Sequence, residues 1–499
     1  MRLSFELPTK SVWGFLAIVF IFRLAYIYIV PLELVPDEAY YWDWSRHLDI
    51  GYYSKPPMIA WLNYLSTHLF GINEFGVRFF AALLGTASAG IVYMLAKEMF
   101  DERVAMISFL FSLLTPANAA LSFVMTIDPP LIFFGTLFLL LFWKGLNLKG
   151  NGQILSFTLA GISFGLAFLS KQMMIVYFIS IAIFLIYEKE YRSNISAPAI
   201  FLFLFFSFAL ISLPIYWNYK HNWVTFQETV HHISSNPSIL KTISTFFEYV
   251  GGQVLIITPI FAFIIYFSIY KAILNFRKLD TKSRFLFFFG PIYLVIFLFL
   301  SLKQRVNANW PALFYPPAII FSVAWILKNI KEKYVNNWIN RGLVVAYVFV
   351  FLTYITPFIL TIETISGTKI DPTKRGKGWK NLAIQLSDIY KQQGKDIFIL
   401  GEKRDIISEM AFYMDEHPVI YKIDKTPHIV KDQYEVWGTH GINMIGKDCL
   451  ILRKGSRTGK ELFKMFDKVT KIAEIKSKIG KNSYRIYSVF KGTNYKGSY

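Results

Sequence analysis

Long apolar runs alternate with short polar connectors along most of the chain. The runs are about 20 residues long, enough to cross a hydrocarbon core of ~30 Å as helices. About eleven are legible, near residues 11–30, 77–96, 104–122, 129–145, 154–170, 172–187, 197–216, 251–270, 285–302, 308–327 and 342–362. Gly and Pro within them are compatible with helices whose neighbours satisfy the freed backbone groups. From about residue 367 the pattern changes. Short apolar runs at 396–400, 419–421, 449–452 and 484–490 predict strands, and 405–414 reads as a helix. The predicted fold is a polytopic α-helical membrane domain over residues 1–365, followed by a small α/β domain over 366–499.

Composition supports this reading. Of 499 residues, 54% are hydrophobic, 18% aromatic and only 17% charged, with 49 Phe. The net charge of +19 belongs to loops beside the runs and to the last third of the chain, which suits membrane topology and anionic lipid better than nucleic acid. One set of loops carries Lys97 and Arg103, Lys144 and Lys149, Lys189 and Arg192, Lys271 to Arg284, and Lys328 to Arg341. The positive-inside rule places these loops and the N-terminus in the cytoplasm. An odd number of spans then puts residues 363–499 outside, in the periplasm of a bacterial inner-membrane protein. The first run lacks a small-residue cleavage site and reads as a retained helix. The single cysteine, Cys449, excludes an intramolecular disulfide and a Cys-rich metal site. His231-His232 reads as a loop feature. No Gly-rich phosphate loop and no short repeat is present.

This topology gathers the informative charges on the outer face. The loop 31–76 holds Asp37 and Glu38, the aromatics Tyr40, Tyr41, Trp42, Trp44, Tyr52 and Tyr53, and Lys55 before Pro56-Pro57. Pro36 biases Val35 to extended geometry, so a helix starts at about Asp37 with both acids at its N-terminus. Asp128 heads another run in Thr126-Ile127-Asp128-Pro129-Pro130, as an N-cap or as a site residue. Lys171 interrupts Leu169-Ser170-Lys171-Gln172-Met173, and Lys220 and Arg305 are further outer cations. Arg305 precedes Asn309-Trp310-Pro311, and its planar fork suits phosphate. Carboxylates and cations beside lipid suggest a lipid-linked phosphate as partner. The aromatics either stack on a sugar ring or form a headgroup belt.

Several short motifs resemble the GT-C membrane glycosyltransferases. They are closest to the bacterial branch of the protein-O-mannosyltransferase superfamily that includes the lipid A aminoarabinose and galacturonic-acid transferases. The motifs are Pro36-Asp37-Glu38-Ala39-Tyr40-Tyr41, Tyr53-Ser54-Lys55-Pro56-Pro57, Gly76-Val77-Arg78, Thr126-Ile127-Asp128, Leu169-Ser170-Lys171 and Asn309-Trp310-Pro311. The resemblance implies an inverting transferase with a sugar donor on polyprenyl (undecaprenyl) monophosphate. It implies Asp37 and Asp128, with Glu38, as catalytic acids, and Lys55 as the donor-phosphate ligand, assisted by Arg305 and Lys171. Tyr40, Tyr41, Tyr53 and Trp310 would meet the sugar or the acceptor. The acceptor implied is an anionic glycolipid, lipid A, which the basic outer domain suits. No metal ligand and no cofactor is expected, with a divalent ion between Asp37 and Asp128 left open. Two other readings stand beside this one. Protein O-glycosylation would use the same chemistry. A lipid or solute transporter would place charges at midspan and show repeated halves.

Overall fold

The computed structural model describes residues 9–233, 239–362, 365–369, 371–394, 397–423, 430–438, 444–455, 459 and 461–497. Among the described residues, eight helices are long and apolar enough to cross a membrane: Lys10–Ile29, Glu74–Met99, Asp128–Asn147, Gly150–Ser170, Ala197–Lys220, Thr281–Leu300, Trp310–Asn329 and Glu332–Ile359. The expected run 104–122 is shorter, with helix Glu102–Leu113 followed by Pro116–Ala120. The run 172–187 is a short apolar helix, Gln172–Tyr187. The run 251–270 is not one straight span. Helices Thr242–Ile257 and Pro259–Leu274 meet at 112°. Pro259 has no N–H for the preceding turn, and Thr258 takes a positive φ of 85° at the break. The expected outer loop 217–250 is largely helical, through Val224–Ile233 and Ile239–Ile257. His231-His232 therefore lies in a helix rather than a loop, with its side chains outside the described residues.

Tight packing follows from small residues at contact points. At Gly161 an added Cβ would lie 2.5 Å from the Phe203 carbonyl oxygen, so helices Gly150–Ser170 and Ala197–Lys220 meet backbone to backbone. Phe138, Phe142, Phe164, Phe203, Phe285 and Phe289 fill the core around this contact. Much of the phenylalanine excess is thus interior filling rather than lipid-facing surface.

The outer domain has a five-stranded sheet in the order β2-β1-β3-β5-β4. Its strands are β1 (Phe398–Gly401), β2 (Ile420–Lys422), β3 (Cys449–Lys454), β4 (Phe466–Gly480) and β5 (Ser483–Tyr495). β1 is parallel to β2 and β3, and β5 is antiparallel to β3 and β4. Helices Trp379–Gln393 and Arg404–Tyr413 pack on this sheet and on the loop 31–76.

That junction explains the aromatic cluster. Trp42 meets Phe412 edge-on at 4.9 Å, Tyr40 lies 5.5 Å from Tyr434, and Trp44 stacks on Tyr52 at 4.5 Å. Each such ring buries roughly 150–250 Å². Polar tips are matched as well. Tyr434 donates to Asp43 at 2.7 Å, Tyr413 accepts from the Leu34 amide at 2.7 Å, and Tyr40 accepts from the Gln433 amide at 2.6 Å. The cluster is neither a sugar platform nor a headgroup belt, but the core between the two domains.

Beneath it lies a fully buried ion pair. Arg78 donates to both oxygens of Glu38 at 2.9 Å and to the carbonyls of Leu32 and Glu33 at 2.9 Å. Glu38 also accepts from the amides of Val35 at 3.0 Å and Met125 at 2.8 Å. Removing one partner of such a pair strands the other charge. Glu38→Ala should therefore cost about 3–5 kcal/mol. A thermal melt of the purified variant checks this, and an unchanged midpoint would contradict it.

Candidate active site

Two helix ends create the centre. Asp128 opens helix Asp128–Asn147, and Lys171 caps the C-terminus of Gly150–Ser170. Each charge sits at the end its helix dipole favours. Lys171 donates to Asp128 at 2.9 Å, and both are buried. The second Asp128 oxygen accepts from the Asn309 side chain at 2.7 Å. Asn309 belongs to the Asn309-Trp310-Pro311 motif but was not among the expected site residues. An amide before Trp-Pro in a polar outer loop was its only signal.

Lys55 lies close enough to feel Lys171, Asp128, Glu228 and Asp37. Burial, then the positive charge of Lys171, holds its ammonium below the usual lysine range. Its backbone is fixed by a turn in which the Tyr52 amide donates to the Lys55 carbonyl at 3.2 Å, and by Pro56-Pro57 leading into helix Met58–Phe70. Gly51 in the same turn lies on Trp217, where a Cβ would clash at 2.7 Å. Trp217 in turn donates to Asp49 at 2.7 Å. A cavity of about 80 Å³ bounded by Lys55, Phe168, Gln172, Pro214 and Asn218 adjoins the lysine. Among the described residues, Lys55 makes no ion pair or hydrogen bond through its ammonium group.

Asp37 sits on the first turn of helix Pro36–Ser45, one residue before the buried Glu38. It accepts from Arg404 at 3.0 Å and Arg375 at 3.4 Å, both from the outer domain. Neither arginine was anticipated, because nothing in the sequence shows which outer-domain surface faces the membrane. Tyr41 lies in the field of Asp37, Arg404 and Asp128, and burial, then the Asp37 charge, raises its hydroxyl above the usual tyrosine value.

The structure thus brings Asp37, Asp128, Lys55, Lys171 and Tyr41 into one neighbourhood. Other expected site residues are placed differently. Glu38 has every oxygen engaged by protein and no solvent access, so it serves the fold. Arg305 pairs with Glu248 at 2.5 Å on an exposed surface instead of joining Lys55. Tyr40 and Tyr53 are buried with their hydroxyls engaged, Tyr53 by donating to Glu228 at 2.8 Å. They cannot offer a ring face to a sugar. Trp310 is half-buried beside Asn309. Among the described residues no group of three or more His, Cys, Asp or Glu forms a metal cage.

A second opening adjoins the centre. An apolar cleft of about 340 Å³ runs between Pro129 and Asn309 at one end and Ile256, Ile257, Tyr315 and Ile319.

The solved structure of ArnT from Cupriavidus metallidurans in the apo state superposes with a TM-score of 0.65, covering 97% of this chain and 98% of that one at 13% identity. This is the GT-C fold. The same protein bound to undecaprenyl phosphate gives a TM-score of 0.63 at 14% identity, covering 96% and 97%. Residues 54–217 match the family model described as dolichyl-phosphate-mannose-protein mannosyltransferase. Lipid A galacturonosyltransferase RgtD of Rhizobium johnstonii is 26% identical over 398 residues, 79% of this chain and 80% of the relative. The undecaprenyl phosphate-α-4-amino-4-deoxy-L-arabinose arabinosyl transferase 2 of Proteus mirabilis is 25% identical over 392 residues, 70% of this chain and 68% of the relative. The resemblance read from the short motifs is borne out.

The lowered Lys55 range makes a testable statement about anions. Anion binding needs the ammonium form, so affinity is full below the lowered value and falls as pH rises through it. Above it, affinity should drop by about tenfold per pH unit. Lys55→Arg, which stays charged, should hold its affinity into the alkaline range. Titration of a lipid phosphate monoester against pH checks both. Identical profiles for the two proteins would contradict the assignment.

Proposed function

We propose that this chain is an inverting glycosyltransferase. It moves a sugar from polyprenyl (undecaprenyl) monophosphate to an acceptor outside the cytoplasm, with lipid A as the acceptor that fits best. The observation that carries the reading is Lys55, a half-buried ammonium beside the Lys171–Asp128 pair that has no partner of its own among the described residues. Two lysines beside Asp128 give a cationic surface that suits a phosphate monoester. The relatives named for undecaprenyl phosphate and lipid A support the donor and acceptor classes. The apolar cleft at Pro129 and Asn309 suits the first isoprene units of such a donor.

In this reaction an acceptor oxygen attacks the anomeric carbon from the face opposite the phosphate. The new glycosidic C–O bond forms as the C–O bond to phosphate breaks, and polyprenyl phosphate leaves with the electron pair. Lys55 and Lys171 stabilise the charge as it develops on the leaving phosphate. A hydroxyl acceptor gives its proton to Asp37. A phosphate acceptor is already ionised, and Asp37 then positions it. A phosphate leaving group is a stable anion, so the reaction as proposed calls on no metal. Asp128 holds Lys171 and, through Asn309, the loop before Trp310.

A transport reading would want charges at midspan. Asp128 and Lys171 instead sit at helix ends, and the shared fold is that of transferases. The same reading places the chain in a bacterial inner membrane, with its N-terminus cytoplasmic and residues 366–499 periplasmic.

Purified protein given undecaprenyl-phosphate-linked sugars and lipid A should release undecaprenyl phosphate and add one sugar mass to lipid A. It should ignore nucleotide sugars, and efficient use of one would contradict the donor class. Asp37→Asn should lower single-turnover rate by about 10²-fold while keeping donor affinity. A rate near that of the wild type would show that Asp37 is not the base. Lys55→Ala should weaken donor binding as well as turnover.

A further inference from the structure

Asp37 is the one candidate catalytic group held by the outer domain. Its two oxygens take guanidinium donors from residues 338 and 367 positions away in sequence. The three side chains remain accessible, with Asp37 34% exposed, Arg404 41% and Arg375 60%. Arg404 is positioned through its side chain, and Arg375 through the backbone of its turn. Arg404 opens helix Arg404–Tyr413 and lies 5.1 Å above the ring of Tyr40. The turn carrying Arg375 is fixed by Arg485, which donates to the carbonyls of Lys374, Arg375 and Lys377 at 2.8, 2.9 and 2.6 Å. Arg485 itself stacks on Trp379 at 3.9 Å.

Two planar forks converging on one carboxylate form a receptor for a tetrahedral oxyanion, because guanidinium groups pair with phosphate as readily as with carboxylate. All three side chains reach solvent. The receptor adjoins the Asp128 centre through Tyr41, which lies in the field of Asp37, Arg404 and Asp128.

We propose that Arg375 and Arg404 are the binding site for the phosphate of a phosphorylated glycolipid acceptor, with Asp37 occupying that site until the acceptor arrives. The acceptor phosphate takes over the guanidinium donors, and the Asp37 carboxylate is released toward the attacking oxygen. Acceptor binding thereby arms the site. The proposal rests on the transferase reading and adds to it the acceptor's binding groups and their link to Asp37. It also gives the outer domain a direct part in recognition, in addition to covering the loop 31–76.

The test uses full-length protein in nanodiscs. The probes are undecaprenyl phosphate, bisphosphorylated lipid A, dephosphorylated lipid A and phosphatidylglycerol. Wild type should bind bisphosphorylated lipid A at least about tenfold more tightly than the dephosphorylated form. The double variant Arg375→Ala/Arg404→Ala should lose that preference while keeping its affinity for undecaprenyl phosphate. Arg375→Lys/Arg404→Lys should restore part of the preference, since charge returns without the fork. A preference that survives the alanine variant would overturn the proposal. So would an equal loss of undecaprenyl phosphate binding, which would mark the arginines as structural. Competition by phosphatidylglycerol as strong as that by lipid A would also overturn it, in favour of a general anionic-lipid surface. Failure of wild type to bind undecaprenyl phosphate would remove the donor reading, whereas the arginine site stands or falls on the phosphate preference.

Discussion

The Glu38–Arg78 pair holds the outer face together. Through it, one carboxylate joins the first outer loop, the start of helix Glu74–Met99 and the turn at Met125. Met125 is three residues before Asp128, and Glu38 is one residue after Asp37. The buried pair therefore sets the distance between the two acids of the site without touching a ligand. Two charges out of water are costly unless every lone pair is met. Here Arg78 also satisfies the Leu32 and Glu33 carbonyls, and Glu38 the Val35 amide. The order imposed on the loop is what that network achieves.

The outer domain extends the same logic. Its aromatic contacts cover the helix Pro36–Ser45, and its arginines reach past that cover to Asp37. Packing and electrostatics thus meet on one ten-residue helix. One face is interdomain core, one residue anchors the loop, and one carboxylate faces the site. On the membrane side, Lys171 and Asp128 come from adjacent helix ends, so their pairing depends on the packing of helices Asp128–Asn147, Gly150–Ser170 and Ala197–Lys220. Lys55 is carried in by a proline-stiffened turn seated on Trp217.

Much of this was legible in the residues. Apolar length alone located the spans, because bilayer thickness leaves few alternatives. The acids before or after proline marked helix starts, and the polar breaks at Lys55, Asp128 and Lys171 marked the centre. Strands β1, β2, β3 and β5 showed as apolar runs, but β4 did not. Its Lys-rich sequence, Phe466–Gly480, is that of an edge strand with a solvated face, where alternation is weak. The bend at Thr258 hid within an unbroken apolar run. The aromatic cluster misled because tyrosine and tryptophan suit a sugar, a lipid headgroup and a domain junction equally well, and only the partner surface decides. Arg305 misled for a related reason: a polar loop gives no direction, and its guanidinium turns outward to Glu248. Arg375 and Arg404 were silent because long-range docking leaves no local pattern.

The account depends on an anion belonging between Lys55 and Lys171. The most direct measurement is a structure of the protein with undecaprenyl phosphate bound. The phosphate should lie within hydrogen-bond reach of the Lys55 ammonium, beside the Lys171–Asp128 pair, with the isoprenoid chain entering the cleft at Pro129 and Asn309. A phosphate seated elsewhere, with Lys55 still unpaired, would contradict it.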